Sequence, residues 1–225
     1  MKCFTLSNLT KTYGSNDVPQ VVLDNISLSI NQGELTAIAG SSGSGKSTLL
    51  SILSFMERAD SGQLLYQGQS ISHMNDNQLA AIRNKDFGFV FQSPFYVPYK
   101  TVHDNICLPL SYSNSSLVNA ERRASELMEY VGIEHLATKL PSKLSGGEQQ
   151  RMSFARALIM QPSVIFADEP TASLDQENSN KIMSMLCTQV NKGLTVILVS
   201  HDKHTLSYGN RVLELTNKGT GIVER

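Results

Sequence analysis

Cysteine is scarce in this chain and scattered along it. Cys3, Cys107 and Cys187 are the three in 225 residues, and none forms a CxxC pair, so neither a disulfide framework nor a zinc site is expected. Charge of either sign is not in excess. A formal net charge of -1 removes the electrostatic argument for nucleic acid as a direct partner. Long apolar runs are missing as well: Gly193 to Val199 is far shorter than the roughly 20 residues needed to cross a bilayer. It reads instead as a buried parallel strand. The start, Met1-Lys2-Cys3-Phe4, runs into strand-like sequence with no secretory pattern. No repeat of solenoid period is present, and no linker divides the chain, so a single domain over residues 1–225 is expected. Such a protein is expected to be soluble with reduced cytosolic thiols, or held at a membrane through a partner.

What is present is concentrated in one stretch. Gly40, Ser41, Ser42, Gly43, Ser44, Gly45, Lys46 and Ser47, followed by Thr48, fit G-x-x-x-x-G-K-[ST], the loop that wraps nucleotide phosphates. Leu35 to Ala39 reads as a short strand before it, and Leu49, Leu50, Ile52 and Leu53 recur near helical spacing after it. Glycines allow backbone N–H groups to converge on an anion, and the helix start adds a positive dipole end. Lys46 would meet the β- and γ-phosphates and Ser47 would offer a hydroxyl to Mg²⁺. The plainer alternative, a flexible Gly/Ser connector, would not require these flanks.

Around this stretch the pattern is α/β. Residues 3–9 and 21–30 alternate as half-solvated antiparallel strands do, joined by a turn-rich loop from Gly14 to Pro19. Residues 62–71 read as a hairpin returning to that small sheet. Asp76 is expected to cap a short helix through Arg83 that turns Leu79, Ala80 and Ile82 inward. Phe87 to Phe91 is a buried strand ending at Gln92. Residues 93–118, with three prolines and the polar run Ser111 to Ser116, carry no strand signal. Helices are expected over Asn119–Val131, with Gly132 as stop, and from Ser145 to about Ile159. The stretch 93–160 thus reads as a helical insertion. Val164–Ala167 resumes as a buried strand, then come an amphipathic helix through Ile182, Met183, Leu186 and Val190, and a strand over 194–199. Strand–helix–strand alternation implies parallel pairing.

Two further groups carry chemistry. Asp168 and Glu169 stand at the end of an apolar strand, where open α/β sheets place ligands. Asp168 can hold Mg²⁺, and Glu169 can polarise a water for attack on the γ-phosphate. The alternative is an acidic turn. Further upstream lies Leu144-Ser145-Gly146-Gly147-Glu148-Gln149-Gln150-Arg151. Ser145 and Glu148 form S-x-x-E, a capping box. Two first-turn glycines, each about 1 kcal/mol poorer than alanine in a helix, suit bare N–H groups facing an anion. Capping alone explains the serine and the glutamate but not the glycine pair.

Leu-Ser-Gly-Gly-Glu-Gln, set between a phosphate loop and an acidic strand end, resembles the signature of ATP-binding-cassette (ABC) ATPases, and the resemblance extends over nearly the whole chain. It implies a P-loop NTPase core with a parallel sheet, a small N-terminal antiparallel β-subdomain and an inserted α-helical subdomain. It further implies that Tyr13 stacks on adenine and that Gln92 senses Mg²⁺ and the membrane partner. Ser173, Leu174 and Asp175 resemble the D-loop at the nucleotide, and His201 resembles the switch histidine that contacts the γ-phosphate. Ser145, Gly146, Gly147 and Glu148 would then face ATP held by a second copy of the chain, giving a homodimer around two ATP molecules.

The Gly14–Gln20 loop, Gly88 to Gln92, and Thr101 to Leu110 are similar to a bacterial branch of that family serving lipoprotein release, macrolide and toxin export, antimicrobial-peptide resistance and cell-division regulation. This implies integral membrane permease partners and a place at the cytoplasmic face of the bacterial inner membrane. Thr171-Ala-Ser-Leu-Asp175 departs conservatively from the branch. Ser93 to Tyr99 is richer in aromatics and proline, at the place where a permease would dock; Phe95, Tyr96, Val97 and Tyr99 are either that surface or part of the helical core. A non-transporting regulator of a membrane partner is the alternative. A soluble nucleic-acid or ribosome ATPase fits poorly: Lys46 and Ser145 leave no room for a coiled coil, and there is one cassette rather than two.

Overall fold

The computed structural model describes residues 1–14, 19–113, 117–216 and 221–224. Most of the Gly14–Gln20 loop and the end of the Ser111–Ser116 run lie outside the described residues. Contacts group the chain into two compact units, Met1–Ala80 with Cys187–Arg225, and Ala81–Leu186.

In the first unit, β1 (Lys2–Tyr13) and β2 (Gln20–Asn31) pair antiparallel, as their alternation predicts. Both run longer than that alternation. Their register shifts are accompanied by Asn8 and Asn25 at positive φ, a conformation asparagine tolerates. β4 (Ser61–Tyr66) pairs with β1, and a tight turn through Gln67 and Gly68, both at positive φ, returns it as β5 (Gln69–Ser70). Phe4, Phe55 and Tyr66 pack edge-on or tilted at 5.1–6.3 Å between ring centroids. Two of the three parallel strands of this unit are buried on both faces. β3 (Leu35–Ala39) lies between β8 (Thr195–Val199) and β9 (Arg211–Thr216), parallel to each, and β10 (Gly221–Glu224) closes antiparallel on β9. The β9–β10 hairpin was not expected from the sequence. It is pinned by Arg211, whose guanidinium meets both Glu224 carboxylate oxygens at 2.7 Å. The helices here are α1 (Lys46–Leu53) and the short α7 (Lys203–Leu206).

In the second unit, β6 (Phe87–Phe91) and β7 (Val164–Asp168) run parallel in register from Phe87↔Val164 to Phe91↔Asp168. Phe87 and Phe89 stack on or meet Phe166 at 5.0 and 5.7 Å. Among the described residues three α-helices lie between β6 and β7 in the chain: α3 (Val102–Cys107), α4 (Leu117–Val131) and α5 (Gly146–Leu158). Ala124, Leu127, Met128 and Val131 form the buried face of α4, and Gly132, at φ +69°, ends it with Ile133 N–H bonded back to the Met128 carbonyl. α3 lies within the expected helical insertion, in a part of it for which no particular helix was specified; its signal is Thr101-x-x-Asp104, a reciprocal capping box. Gly88 faces α5 so closely that a Cβ there would collide with the Ala157 carbonyl.

The chain passes from one unit to the other within α2 (Asp76–Asp86) and returns within α6 (Gln176–Asn191). One expectation is corrected: the cap of α2 is Asn75, not Asp76. The Asn75 side chain accepts from Gln78 N–H at 3.0 Å and Gln78 returns the bond to Asn75 N–H at 2.9 Å, so the reciprocal pair fixes the start one residue earlier. The helix also continues past Arg83. Among the described residues no helix is long and apolar enough to cross a membrane.

Candidate nucleotide site

The first unit holds the phosphate loop. β3 delivers the chain at Ala39, and α1 starts at Lys46 behind Gly45, which sits in the left-handed region at φ +94°. A Cβ on Gly45 would lie 2.8 Å from the Val22 carbonyl, and one on Gly40 2.5 Å from Ser44 Oγ. Only glycine closes this loop. The buried Lys46 ammonium donates to the Gly40 and Ser41 carbonyls at 2.9 and 2.7 Å, with no carboxylate partner among the described residues. Ser44 Oγ is buried with no hydrogen-bond partner among the described residues. A buried cation compensated only by neutral carbonyls, beside an unsatisfied hydroxyl at a helix start, suits a polyanion. Ser41, Ser42 and Gly43 are exposed on the same loop, and Ser47 is exposed in the first turn of α1.

Tyr13, at the end of β1, is held by charge. Its hydroxyl donates to Glu57 Oε2 at 2.6 Å and also faces the Thr48 hydroxyl. Lys11 lies 5.3 Å from the ring centroid and pairs with Glu57 at 3.0 Å and Asp60 at 3.2 Å. Burial, then the Glu57 bond, pushes the phenol above its ordinary value. Glu57 reaches this position because α1 ends in a left-handed Phe55, with Met56 N–H bonded to the Ser51 carbonyl. His201 follows β8 and is exposed, next to Asp202, which caps α7.

The second unit holds the acidic strand end and the serine–glycine turn. Gln92 and Glu169 each follow a member of the terminal ladder pair Phe91↔Asp168. The carbonyl of the exposed Gln92 accepts from Ser173 Oγ at 3.3 Å. Glu169 sits at φ +46°, a region that costs a non-glycine residue of order 1–3 kcal/mol and tends to cluster at functional positions. The Ser145 hydroxyl and N–H both donate to Glu148 Oε2 at 2.7 Å, the capping box the sequence predicts. That hydroxyl, then the N–H, holds the Glu148 carboxyl below its usual range.

The two glycines of this turn have different reasons. A Cβ on Gly147 would strike Asn178 Oδ1 at 2.5 Å, whereas Gly146 has open space around it. Asn178 accepts from Arg151 at 2.9 Å, and its backbone and side-chain N–H groups donate to Asp175 at 2.8–3.0 Å. In this structure both Asp175 carboxylate oxygens therefore meet Asn178 at the head of α6. Sequence reasoning passed over Asn178, Lys11 and Glu57, none of which lies in a motif. Of the aromatics after Gln92, Phe95 and Tyr99 are 67% and 80% exposed, while Tyr96 and Val97 are half-buried. The fully buried Asn105 side chain fixes this segment through both backbone groups of Val97 and the carbonyls of Lys100 and Thr101.

Residues 23–172 match the family described as ABC transporter. This chain belongs to that family, as an ATP-binding domain. Dimeric structures of the ATP-binding cassette MJ0796, one bound to ADP and Pi, superpose with a TM-score of 0.91 at 35% identity, over 99% of this chain and 97% of theirs. The cbiO1 structure from Clostridium perfringens, part of the ABC transporter complex cbiONQ, gives a TM-score of 0.86 at 28% identity, over 99% of this chain and 88% of that one. Among curated relatives, the pyoverdine export ATP-binding/permease protein PvdT of Pseudomonas fluorescens and the macrolide export ATP-binding/permease protein MacB of Pasteurella multocida are each 40% identical over 93% of this chain. The chain spans about a third of their length (32% of each).

The cassette's candidate cation donors, the Ser47 hydroxyl, the Gln92 amide oxygen and the Asp168 carboxylate, are all hard oxygens. Among the described residues no cluster of three or more His, Cys, Asp or Glu could hold a metal alone. Each, taken by itself, is a donor of the type that Mg²⁺ accepts.

Proposed function

We propose that this cassette is the ATP-hydrolysing motor of an export transporter, working as a homodimer around two ATP molecules and coupled to integral membrane permease segments at the cytoplasmic face of the bacterial inner membrane. The observation that carries the reading is the buried Lys46 ammonium, bonded only to loop carbonyls beside the orphaned Ser44 hydroxyl. The names of the export relatives support the permease coupling and the direction, and the dimeric MJ0796 cassettes support the pairing.

In this reading Tyr13 stacks on the adenine, and residues Gly40 to Thr48 hold the phosphates through backbone N–H groups and Lys46. Mg²⁺, when held by Ser47, Gln92 and Asp168, would neutralise charge on the β- and γ-phosphates. Glu169 orients a water in line with the γ-phosphorus and accepts its proton as the bond to the ADP oxygen breaks, while His201 stabilises the γ-phosphate. One chain carries one phosphate loop and one serine–glycine turn. Ser145, Gly146, Gly147 and Glu148, with Asp175, therefore complete the site of a partner copy. ATP closes the pair, and hydrolysis reopens it to move the permease, with Phe95 and Tyr99 as the docking aromatics.

Steady-state hydrolysis and fluorescent-nucleotide binding test this. Lys46→Ala should lose ATP binding. Glu169→Gln should keep it while turnover falls about 10²- to 10⁴-fold, the usual worth of a positioned general base. Undiminished turnover in Glu169→Gln would remove Glu169 from the chemistry.

A further inference from the structure

One buried side chain reaches both strand ends that carry the proposed hydrolytic residues. Gln150, on α5, is fully buried. Its amide nitrogen donates to the Phe91 carbonyl at 2.9 Å and to the Pro170 carbonyl at 2.8 Å. Phe91 immediately precedes Gln92, and Pro170 immediately follows Glu169. Phe91 is also the ladder partner of Asp168, so the amide bridges β6 and β7 just where their own ladder stops. Both its hydrogens are used, which fixes the amide plane. The flipped orientation would turn Oε1 toward two carbonyl oxygens, so only one assignment is tenable.

The rest of the side chain is poorly explained by packing. Oε1 is buried with no hydrogen-bond partner among the described residues, a condition native proteins generally avoid. An apolar residue of similar size would fill the volume without that defect, but it would release the two carbonyls. What the glutamine provides is the clamp. One of its anchors adjoins Glu169, the residue held at φ +46°, a conformation that persists only where its surroundings enforce it.

We propose that Gln150 is a positioning residue for hydrolysis: through the carbonyls of Phe91 and Pro170 it fixes Gln92 and Glu169 in register with each other, without itself touching the nucleotide. The inference rests on the roles assigned above to Gln92 and Glu169. Being off the reacting atoms, Gln150 should affect the chemical step and leave nucleotide capture alone.

The test uses the full chain with three variants assayed well below their melting temperatures. Gln150→Met keeps the volume and removes both donors. It should bind ATP within about twofold of the native chain, while kcat falls about tenfold or more, as expected when a reacting group is displaced by a fraction of an ångström to an ångström. Gln150→Glu supplies a second reading should the methionine variant fold poorly. As a carboxylate it faces two carbonyl oxygens, and as an acid it can donate to one. Its kcat, relative to the native chain, should therefore rise as pH is lowered from about 8 to about 6, buried carboxyls titrating upward. Glu169→Gln is the control for the underlying reading. If it abolishes turnover while Gln150→Met leaves kcat unchanged, or lowers kcat only in proportion to the fraction unfolded, the positioning role is overturned and the hydrolytic reading survives. If Glu169→Gln remains fully active, the hydrolytic reading itself has failed.

Discussion

Tyr13 is fixed by its hydroxyl rather than by packing: it is 39% exposed yet bonded at 2.6 Å to Glu57, with Lys11 near its ring. In the proposed role Tyr13 is the base-stacking platform, and a platform that wanders must be ordered again each time nucleotide binds. Glu57→Gln retains a hydrogen bond but loses the attraction to Lys11, and Glu57→Ala loses both. We expect ATP affinity to fall about two- to fivefold in the first and about tenfold in the second, the order of one charge-assisted hydrogen bond, with kcat at saturation unchanged. Titration with a fluorescent ATP analogue measures this, and equal affinities in all three proteins would separate Glu57 from the platform. The motif residues proposed for this site stand out in the sequence because glycine, lysine and serine at fixed spacing have few other uses. Glu57 does not, because it arrives through Phe55, an aromatic residue in a left-handed conformation that no local pattern announces.

At the scale of the element, helix starts carry the readable signals. Ser145 and Glu148 are correctly anticipated as a box, and the same rule, applied to Thr101 and Asp104, would have located α3. Asp104, Glu148 and Asp202 are each held below the ordinary carboxyl range, first by the side-chain hydroxyls of Thr101, Ser145 and Thr205. A depressed folded value means stability that is complete above the unfolded value, near 4 for such carboxyls, and lost as pH falls through the folded value. Melting temperature should therefore drop between about pH 4.5 and 3. In Glu148→Gln, which keeps the box but cannot titrate there, the drop should be shallower; an unchanged slope would show that this cap does not contribute. Ser145→Ala should destabilise α5 by about 1 kcal/mol. Gly88→Ala should cost about 1–3 kcal/mol as an overpacked contact between β6 and Ala157 of α5, measured by denaturant midpoint. The sequence was silent about β9 and β10 for a different reason. β9 pairs with β3 across some 175 positions (211 − 36), and its short alternation, Leu213 and Leu215 inward, resembles any half-buried segment.

At the scale of the whole molecule, one copy carries one phosphate loop and one serine–glycine turn, which the proposed chemistry needs at the same nucleotide. A net charge of only -1 opposes self-association weakly, which is compatible with the proposed pairing of two copies around ATP. The curated relatives extend well beyond the matched region, and the proposed stroke would act on permease segments of that kind. The most direct test is the solution mass of the Glu169→Gln chain, by light scattering on a sizing column, with and without Mg-ATP. The account predicts a species near 25 kDa without nucleotide, the chain mass being 24.7 kDa, and one of about twice that mass holding two ATP molecules when nucleotide is present. A monomer that binds ATP tightly and never pairs would contradict it.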